Sequence, residues 1–367
     1  MKVLVVTGSS GGHIYPALGF LNRLRSGNSA VNTLLVLPRR SKDNPELPAG
    51  YQARYISTVR LKLALNLECV ISCWRFLKGA FQSLILLLEF KPDVAVGFGS
   101  VDSLPIMFCA WLFREKTIIH EQNVIPGKAN RLLAKFTDRV AVSFPATKNY
   151  FRVNLAKIVV TGNPLSPGLK KIERAAALSY FGFSGGKFTV LVMGGSQGSR
   201  RINGCFMEAV ADPALSDLQI IHICGAKDFA SLSGSYKNKG PRVKLFSYFK
   251  EMQYAYSAAD LAVSRAGAAT VSELIYFQVP AILIPYPYAC QHQLGNAEVL
   301  AAINAAVIFK DGELSAQKLG ETLLAFIRRP EKLKNMREGF RGFSDIDAAG
   351  LLVEEVLSLG HACSGLL

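Results

Sequence analysis

Short apolar segments alternate with longer stretches of helical periodicity along most of the chain. In the first half these segments are 3–6, 34–37, 94–96, 117–119 and 140–142. In the second half they are 189–193, 220–223, 243–246, 261–263 and 281–284. Continuous apolar strands separated by helices are typical of parallel sheets that are covered on both faces. The pattern therefore predicts an α/β protein built on parallel sheets.

The two halves of the chain begin alike. Residues 2–12 and residues 188–198 each form an apolar segment that runs into a glycine-rich loop and then a helical stretch. The segment 161–168 contains two Pro and two Gly, which favours an irregular linker. We predict two Rossmann-like domains facing a cleft, at 1–163 and 164–345. A C-terminal helix follows at 346–367, and its return to the first domain stays open.

The stretch 61–90 is apolar, but five charged residues interrupt it, so it does not have the pattern of a membrane-spanning helix. Its apolar residues recur at steps of three and four, which predicts an amphipathic helix. One interpretation is burial against the rest of the domain. The other is a helix lying on a membrane, and the two can hold on different faces. The membrane interpretation uses the aromatic residues Trp74, Phe76 and Phe81 and the cations Arg60, Lys62, Arg75 and Lys78.

Basic residues are concentrated in the first half. The chain has 42 Lys and Arg against 27 Asp and Glu, a net charge of +15. Residues 1–163 carry 21 basic and 9 acidic side chains, whereas the remainder carries 21 and 18. Nucleic acid, an anionic membrane surface and a phosphorylated substrate all suit this charge, and the contact is expected in the first half. The seven Cys have no metal-binding spacing, which indicates reduced thiols in a cytosolic protein.

The first glycine loop, 8–16, places small residues where a strand meets a helix N-terminus. Main-chain N–H groups at such a position can bind phosphate. The loop lacks both the G-x-G-x-x-G pattern and a P-loop Lys, which argues against a nicotinamide enzyme or a nucleotide triphosphatase. His13 lies at the helix start, where the positive helix end favours a neutral imidazole that can accept a proton. The alternative is that His13 only hydrogen-bonds the loop.

Three later segments carry polar groups after predicted strands. The loop 194–201 repeats the anion-binding pattern and adds two Arg. In 265–273, Glu273 either caps its own helix in a Thr270-x-x-Glu273 capping box or binds ribose hydroxyls. The segment 285–296 is rich in amides, which suit a neutral, hydroxyl-rich ligand. Asp345-Ile-Asp347 matches a metal-binding pattern, but its place in the tail indicates a helix start, so we predict no metal site.

The motifs together, in this order, resemble the MurG family over nearly the whole chain. They are Gly11-Gly-His-Ile-Tyr-Pro16, Gly97-Phe-Gly99, His120-Glu-Gln-Asn-Val-Ile-Pro-Gly127, Asn130-Arg-Leu-Leu-Ala134, Thr161-Gly-Asn-Pro164, Gly194-Gly-Ser-Gln-Gly198, Arg265-Ala-Gly-Ala-Ala-Thr-Val-Ser-Glu273 and His292-Gln293. Members of this family are peripheral membrane enzymes of peptidoglycan synthesis. They move N-acetylglucosamine (GlcNAc) from UDP-GlcNAc to lipid I, an undecaprenyl-diphosphate-linked MurNAc-peptide, and so form lipid II.

The resemblance implies a GT-B fold in which the second domain binds the donor and the first binds the lipid acceptor. It implies Glu273 on the ribose hydroxyls, Phe249 near the uracil, Ser196 at the diphosphate, and Asn123, His292 and Gln293 on the GlcNAc. The full donor-binding set that it implies is Ser10, Gly11, Gly12, Asn123, Ser196, Phe249, Ala268, Ala269, Thr270, Val271, Ser272, Glu273, His292 and Gln293. His13 is the expected catalytic base, and no metal or cofactor is expected.

The chemistry expected from these residues is a single displacement. A neutral His13 takes the proton of the muramic acid 4-hydroxyl as this oxygen attacks the anomeric carbon, which inverts the configuration and gives a β-1,4 link. Helix N-termini and loop N–H groups stabilise the diphosphate leaving group. No nucleic-acid-binding motif accompanies the positive charge, so an anionic membrane is the expected partner, at the cytoplasmic face of the plasma membrane.

The sequence departs from the family pattern at three places, the mildest of which is Ser10 in the first loop, where Thr is common. Leu165-Ser166 follows Gly-Asn-Pro where the family has a hydrophobic residue and then Arg, so a cation near the donor is missing. The basic residues considered as its replacement are Lys170, Lys171, Arg200 and Arg201. Ser100 and Asp102 also alter the usual Gly-Phe-Gly-Gly surroundings. The alternative function is that of another GT-B glycosyltransferase, acting on a different glycolipid or a small-molecule acceptor.

Overall fold

The computed structural model describes residues 1–27, 30–39, 50–57, 67–195, 197–237, 242–289, 291–343 and 346–364, with the backbone alone at 67–73, 75–77 and 362–364. The chain forms two compact units. The first comprises Met1–Pro167 and Asp347–Leu367, and the second comprises Gly168–Ile346.

The described part of the first unit contains a parallel sheet whose strands lie in the order β3-β2-β1-β4-β5-β6-β7. The strands are β1 (Lys2–Val6), β2 (Asn32–Pro38), β3 (Ala53–Ile56), β4 (Val94–Gly97), β5 (Lys116–Glu121), β6 (Arg139–Val142) and β7 (Ile158–Val160). The apolar segments predicted all of these except the edge strands β3 and β7. An edge strand has a single neighbour, so β3 can form without a continuous apolar run, whereas β7 is the short apolar run Ile-Val-Val.

Helices cover both faces of this sheet. They include α1 (Gly11–Gly27), α2 (Leu67–Phe90), α3 (Leu104–Leu112) and α4 (Lys128–Leu133). Phe20 and Leu24 of α1 pack in the core on one face, and Ile106 and Met107 of α3 pack on the other. The central strands are therefore buried on both sides, which explains their nearly unbroken apolar sequences.

The second unit contains the parallel order β10-β9-β8-β11-β12-β13 in its described part. Its strands are β8 (Thr189–Met193), β9 (Gln219–Ile223), β10 (Val243–Phe246), β11 (Leu261–Ser264), β12 (Ala281–Leu283) and β13 (Ala306–Ile308). Its helices are α5 (Arg174–Tyr180), α6 (Arg200–Ala209), α7 (Phe229–Tyr236), α8 (Met252–Ala258), α9 (Ala268–Phe277), α10 (His292–Ala302), α11 (Ala316–Arg328) and α12 (Pro330–Glu338). The edge strand β13 was not predicted.

The last helix, α13 (Ala348–Ser364), packs in the first unit. Leu352 and Val356 are fully buried in the same core as the apolar face of α1. Asp347 begins the helix, since its Oδ1 accepts a hydrogen bond from the Gly350 N–H at 2.8 Å. The interpretation of Asp345-Ile-Asp347 as a helix start is therefore confirmed at Asp347, and Asp345 lies outside the described residues.

The predicted amphipathic helix corresponds to α2. The structure describes it from Leu67 to Phe90, while the preceding residues 58–66 lie outside the described part. Among the described helices, none is long and apolar enough to cross a membrane.

Candidate functional site

The carboxyl ends of β1, β4 and β5 lie side by side in the first unit. β4 pairs with β1 on one side and with β5 on the other, and the Phe98 N–H donates to the Val6 carbonyl at 2.8 Å. Segments that follow neighbouring parallel strands meet at one edge of the sheet, which is where α/β proteins bind ligands. The sheet thus brings the first glycine loop to the His120-Glu-Gln-Asn segment, more than 100 residues later in the chain.

His13 lies in the first turn of α1, as predicted. Its main-chain N–H donates to the Ser10 carbonyl at 3.0 Å. Its imidazole Nδ1 lies 3.1 Å from Gln122 Oε1, so its side chain is held by the β5 segment rather than by its own loop. Glycines surround the ring, because a Cβ at Gly99 would lie 3.3 Å from its Cε1 and one at Gly8 would lie 3.2 Å from its Cδ2.

Ser10, Gly11 and Gly12 form the N-terminal end of α1. The Ser10 carbonyl accepts the N–H groups of both His13 and Ile14 at 3.0 Å, which closes the first turn. A Cβ at Gly12 would meet no atom within 4 Å, so this side of the loop is open. A helix N-terminus with open glycines can approach an anion through its main-chain N–H groups.

The Glu121 carboxylate organises the loop after β5 from within the protein. Glu121 is buried, and its Oε1 accepts from the N–H and Nδ2 of Asn123 at 2.9 and 3.1 Å. Its Oε2 accepts from the Gly127 N–H at 3.0 Å and from Asn130 Nδ2 at 2.8 Å. Four hydrogen bonds compensate its burial. The predicted sugar contact Asn123 is consequently fixed in orientation, a role of Glu121 that sequence reasoning missed.

Ser100 adopts a backbone conformation that glycine usually takes. Its φ is 72° and its ψ is 151°. Its hydroxyl donates to Asp102 Oδ2 at 2.8 Å and accepts from the Asp102 N–H at 3.4 Å. The two departures from the family pattern in this loop therefore support each other, since the Asp102 carboxylate holds the strained Ser100.

In the second unit, a glycine loop links β8 to α6. Gly195 and Gly198 have φ values of +87° and +74°, and a Cβ at Gly198 would collide with the Cys224 carbonyl. The Ser199 hydroxyl caps α6 by accepting from the Ile202 N–H at 3.4 Å. The loop has the small residues and the helix N-terminus predicted for it. Ser196, the predicted diphosphate contact, lies outside the described residues.

The capping-box interpretation of Glu273 is wrong. Helix α9 begins at Ala268 with Gly267 as its N-cap, so Thr270 lies inside the first turn and makes no capping hydrogen bond. Glu273 Oε2 instead accepts from the hydroxyl of buried Tyr256 at 2.6 Å. Burial raises the pKa of Glu273 to about 7, and the bond from Tyr256 opposes that effect. Tyr256, on α8, was not found from the sequence.

The other predicted residues of α9 differ in exposure. Ala268 and Val271 are buried, whereas Ala269, Thr270 and Ser272 are partly exposed. The Ser272 hydroxyl donates to the Ala268 carbonyl at 2.9 Å. Of these residues, Ala269, Thr270 and Ser272 are thus the ones that a ligand can reach.

The ring of Phe249 belongs to an aromatic cluster. Its side chain is buried and lies 4.5 Å from the Phe246 ring and 5.5 Å from the Phe181 ring, measured between centroids. A base placed beside this residue would therefore meet its main chain rather than its ring.

Gln293 and Arg265 join the loops at the carboxyl ends of β11 and β12. Gln293 Oε1 accepts from the Ala266 N–H at 3.2 Å and from the Tyr286 N–H at 2.9 Å. Arg265 donates to Asp311 Oδ1 at 2.6 Å and to the Ser199 hydroxyl at 2.8 Å. His292 is the first residue of α10, next to Gln293. The hydrogen bonds of Arg265 to Asp311 and Ser199 were not predicted, because these partners are distant in sequence.

The four basic residues considered as substitutes for the family Arg have different surroundings. Arg201 Nη2 donates to the Gly312 and Leu314 carbonyls, and its Nε lies 3.7 Å from Asp311. Arg200 is 89% exposed at the start of α6, with its Nε 3.6 Å from Asp228. Lys170 and Lys171 are exposed, and the Lys171 ammonium lies 5.3 Å from the centre of the Tyr276 ring. Of the two Arg, Arg200 is the more exposed, and it lies at the start of the helix that follows the glycine loop.

Comparison with known proteins identifies both units. Residues 3–142 match the glycosyltransferase family 28 N-terminal domain, and residues 189–350 match the glycosyltransferase family 28 C-terminal domain. The chain is similar to the UDP-N-acetylglucosamine–N-acetylmuramyl-(pentapeptide) pyrophosphoryl-undecaprenol N-acetylglucosamine transferase of Desulforamulus reducens. The two are 37% identical over 345 residues, which is 92% of each chain.

Solved structures give the same assignment. The crystal structure of Acinetobacter baumannii MurG is 26% identical, with a TM-score of 0.75 over 98% of this chain and 100% of that one. The calicheamicin glycosyltransferase CalG4, at 13% identity and a TM-score of 0.68 over 98% of each chain, shares the fold. The predicted GT-B fold class of two Rossmann-like domains is confirmed. The chain belongs to glycosyltransferase family 28, among the UDP-N-acetylglucosamine–N-acetylmuramyl-(pentapeptide) pyrophosphoryl-undecaprenol N-acetylglucosamine transferases.

Proposed function

We propose that this chain transfers GlcNAc from UDP-GlcNAc to the 4-hydroxyl of the MurNAc of lipid I and so forms lipid II. Relatives named for this reaction match 92% or more of the chain. The geometric observation that carries the proposal is the imidazole of His13, held by Gln122 at the carboxyl edge of the first sheet beside the open end of α1. An imidazole in this position suits proton abstraction from a sugar hydroxyl.

The reaction in this proposal is a single displacement. His13 takes the hydroxyl proton while the oxygen bonds to the anomeric carbon of GlcNAc. The bond from that carbon to the diphosphate breaks, and its electron pair leaves with UDP. The main-chain N–H groups of the glycine loop that follows β8 favour the growing negative charge on the diphosphate. Attack from the face opposite the leaving group gives the β-1,4 product.

The donor contacts in this proposal come mainly from the second unit. Glu273, oriented by Tyr256, accepts hydrogen bonds from the ribose hydroxyls. The first turn of α9 and the main chain at Phe249 contact the nucleotide. His292 and Gln293 contact the GlcNAc, together with Asn123 of the first unit. The hydrogen bonds that Gln293 Oε1 accepts from two main-chain N–H groups hold its amide in one orientation, which suits recognition of a sugar.

The direct test is an assay of the purified protein with UDP-GlcNAc and lipid I, with UDP-glucose and UDP-N-acetylgalactosamine as control donors. His13→Ala removes the base and is expected to lower kcat by about 100-fold or more, while the KM for UDP-GlcNAc changes little. His361→Ala, at an exposed position of α13, is the matched control and should keep the parent kcat. A His13→Ala variant within a few-fold of the parent would refute the role of His13.

The pKa of Glu273 predicts a pH dependence of donor binding. Ribose hydroxyls donate to the ionised carboxylate, so binding favours the form that predominates above a pKa of about 7. Below that pH the free protein must lose a proton to bind, and the Kd for UDP-GlcNAc should rise up to about tenfold from pH 8 to pH 6. Glu273→Gln cannot ionise and should bind weakly with a flat profile.

Isothermal titration calorimetry at pH 6, 7 and 8 measures this dependence without catalysis. Tyr256→Phe is the second variant, because it keeps the carboxylate and removes the hydroxyl that orients it. A Kd for the parent that is constant from pH 6 to pH 8 would contradict the assigned role of Glu273.

We further propose that the first unit binds the cytoplasmic face of the plasma membrane. Trp74, Phe81 and Leu88 share one face of α2, with exposed fractions of 69%, 62% and 55%. Trp111 and Leu112 are exposed on α3, which packs beside α2. A cluster of exposed large apolar side chains favours an interface with lipid or protein. Arg60, Lys62 and the side chains of Arg75 and Phe76 lie outside the described residues.

Cations lie beside this apolar surface. The Trp111 ring packs on Phe136, with 4.8 Å between centroids, and the adjacent Lys135 lines a groove of about 530 Å³ together with Arg131 and Arg152. Basic side chains next to exposed aromatic rings suit anionic headgroups. This arrangement supports a membrane as the partner of the basic first half.

The substitutions Trp74→Ser and Phe81→Ser should each weaken binding to anionic vesicles by about tenfold, since each removes an aromatic ring from the interface. Co-sedimentation with vesicles of phosphatidylglycerol and phosphatidylethanolamine measures the partition. Tyr248→Ser, at a site 63% exposed in the second unit, is the matched control and should not change it. If a variant that combines Trp74→Ser and Phe81→Ser bound vesicles as the parent does, the proposed surface would be wrong.

A further inference from the structure

A continuous chain of hydrogen bonds joins His13 to the main-chain carbonyls of Phe98, His120 and Gly162 through buried side chains. His13 Nδ1 lies 3.1 Å from Gln122 Oε1, and Gln122 Nε2 lies 3.1 Å from His120 Nδ1. His120 Nε2 lies 2.9 Å from the Gly162 carbonyl, and Gln122 Nε2 also lies 3.3 Å from the Phe98 carbonyl. Because main-chain carbonyls can only accept, they determine the direction of every bond in the chain.

The donor and acceptor roles along the chain of hydrogen bonds are determined first at His120. The Gly162 carbonyl accepts, so His120 Nε2 carries a hydrogen and donates it. His120 is completely buried, and burial lowers its pKa to about 4, so the ring is neutral near pH 7. A neutral imidazole with its hydrogen on Nε2 has an unprotonated Nδ1, which accepts a hydrogen bond.

The amide of Gln122 is oriented by these acceptors. The Phe98 carbonyl, the His120 carbonyl and His120 Nδ1 all require a donor, and the two hydrogens of the Gln122 NH₂ group are shared among them. The reverse orientation would set the amide oxygen against three acceptors. Gln122 Oε1 therefore faces His13 as an acceptor, and His13 Nδ1 must donate to it.

We propose that Gln122 and His120 are positioning residues that hold neutral His13 as the Nδ1–H tautomer, which leaves Nε2 as the atom that accepts the substrate proton. The inference rests on the proposed function for the reaction itself. Among the described residues, the hydrogen bond of the His13 ring is the one from Nδ1 to Gln122. His13 Nε2 can therefore accept the proton of the substrate hydroxyl.

The proton transfer balances in this arrangement. The O–H bond of the acceptor hydroxyl breaks and a bond from hydrogen to His13 Nε2 forms, so the ring becomes an imidazolium. The Nδ1–H group of the ring keeps its hydrogen bond to Gln122 Oε1, and the partial negative charge of this oxygen faces the new positive charge. When the product leaves, Nε2 returns its proton to solvent. A neutral amide sets the tautomer without placing a full negative charge beside the ring.

The tautomer is measured directly by NMR in protein labelled with ¹⁵N-histidine. Two-bond ¹H–¹⁵N correlations distinguish the two neutral tautomers, at about pH 8.5, above the ordinary imidazole pKa of roughly 6.5. The chain has five His, and the signals that disappear in His13→Ala assign this residue. The parent protein should show His13 with its hydrogen on Nδ1. An Nε2–H pattern for His13 in the parent would overturn the proposal.

Two substitutions at Gln122 separate positioning from folding. Gln122→Met removes the acceptor, so the His13 tautomer should become mixed or shift to Nε2–H, and kcat should fall on the order of tenfold with little change in donor KM. Gln122→Glu keeps an oxygen acceptor towards His13, and its second oxygen faces buried acceptors and must therefore carry a proton to donate to them. The Nδ1–H tautomer should then persist and more turnover should remain. Gln219→Met is the control, because Gln219 is also buried and hydrogen-bonded but lies in the second unit.

The outcomes distinguish the two proposals. Retention of the Nδ1–H tautomer in Gln122→Met, or its loss in Gln122→Glu, would overturn the positioning role. If Gln122→Met did not fold, the parent and Gln122→Glu spectra would still decide the question. The Gln219→Met variant should lose stability without changing the His13 signals. Failure of the proposed function would appear separately, as an active His13→Ala variant, whatever the tautomer.

Discussion

The main-chain carbonyls at the carboxyl edge of the first sheet orient the polar side chains that lie there. The carbonyls of Phe98 and Gly162 accept from Gln122 and His120, and Gln122 in turn accepts from His13. A parallel sheet leaves main-chain groups unpaired where its strands end, and buried groups of this kind need partners. The positions of these carbonyls follow from strand order, so the direction of the hydrogen-bond chain follows from the fold.

The second unit uses buried partners in the same way. Tyr256 is fully buried and donates to Glu273, and Arg265 holds together Asp311 and the cap of α6. In both units a polar side chain proposed to contact a ligand is thus oriented by a buried partner, His13 by Gln122 and Glu273 by Tyr256. Such support fixes geometry before a ligand arrives, so less conformational entropy is lost on binding.

Most of the fold could be predicted from the sequence, because each central strand is buried on both faces and therefore has a continuous apolar run. The edge strand β3, Ala-Arg-Tyr-Ile, lacked that signal, whereas β7 and β13 are apolar runs of only three residues and were missed. His13 could be found from its place after a glycine loop. The contact of His13 with Gln122 could not, because the strand order β1-β4-β5 brings together residues that are 109 positions apart. The capping box failed for a local reason, since Gly267 rather than Thr270 begins α9.

A double-mutant cycle between His13 and Gln122 tests the central claim most directly, because it asks whether Gln122 acts through His13. The kcat of GlcNAc transfer is measured for the parent, Gln122→Met, His13→Ala and the double variant. The account predicts that Gln122→Met lowers kcat in the parent and has no further effect once His13 is absent. An equal fold-change in both backgrounds would contradict it and would leave Gln122 with a structural role alone.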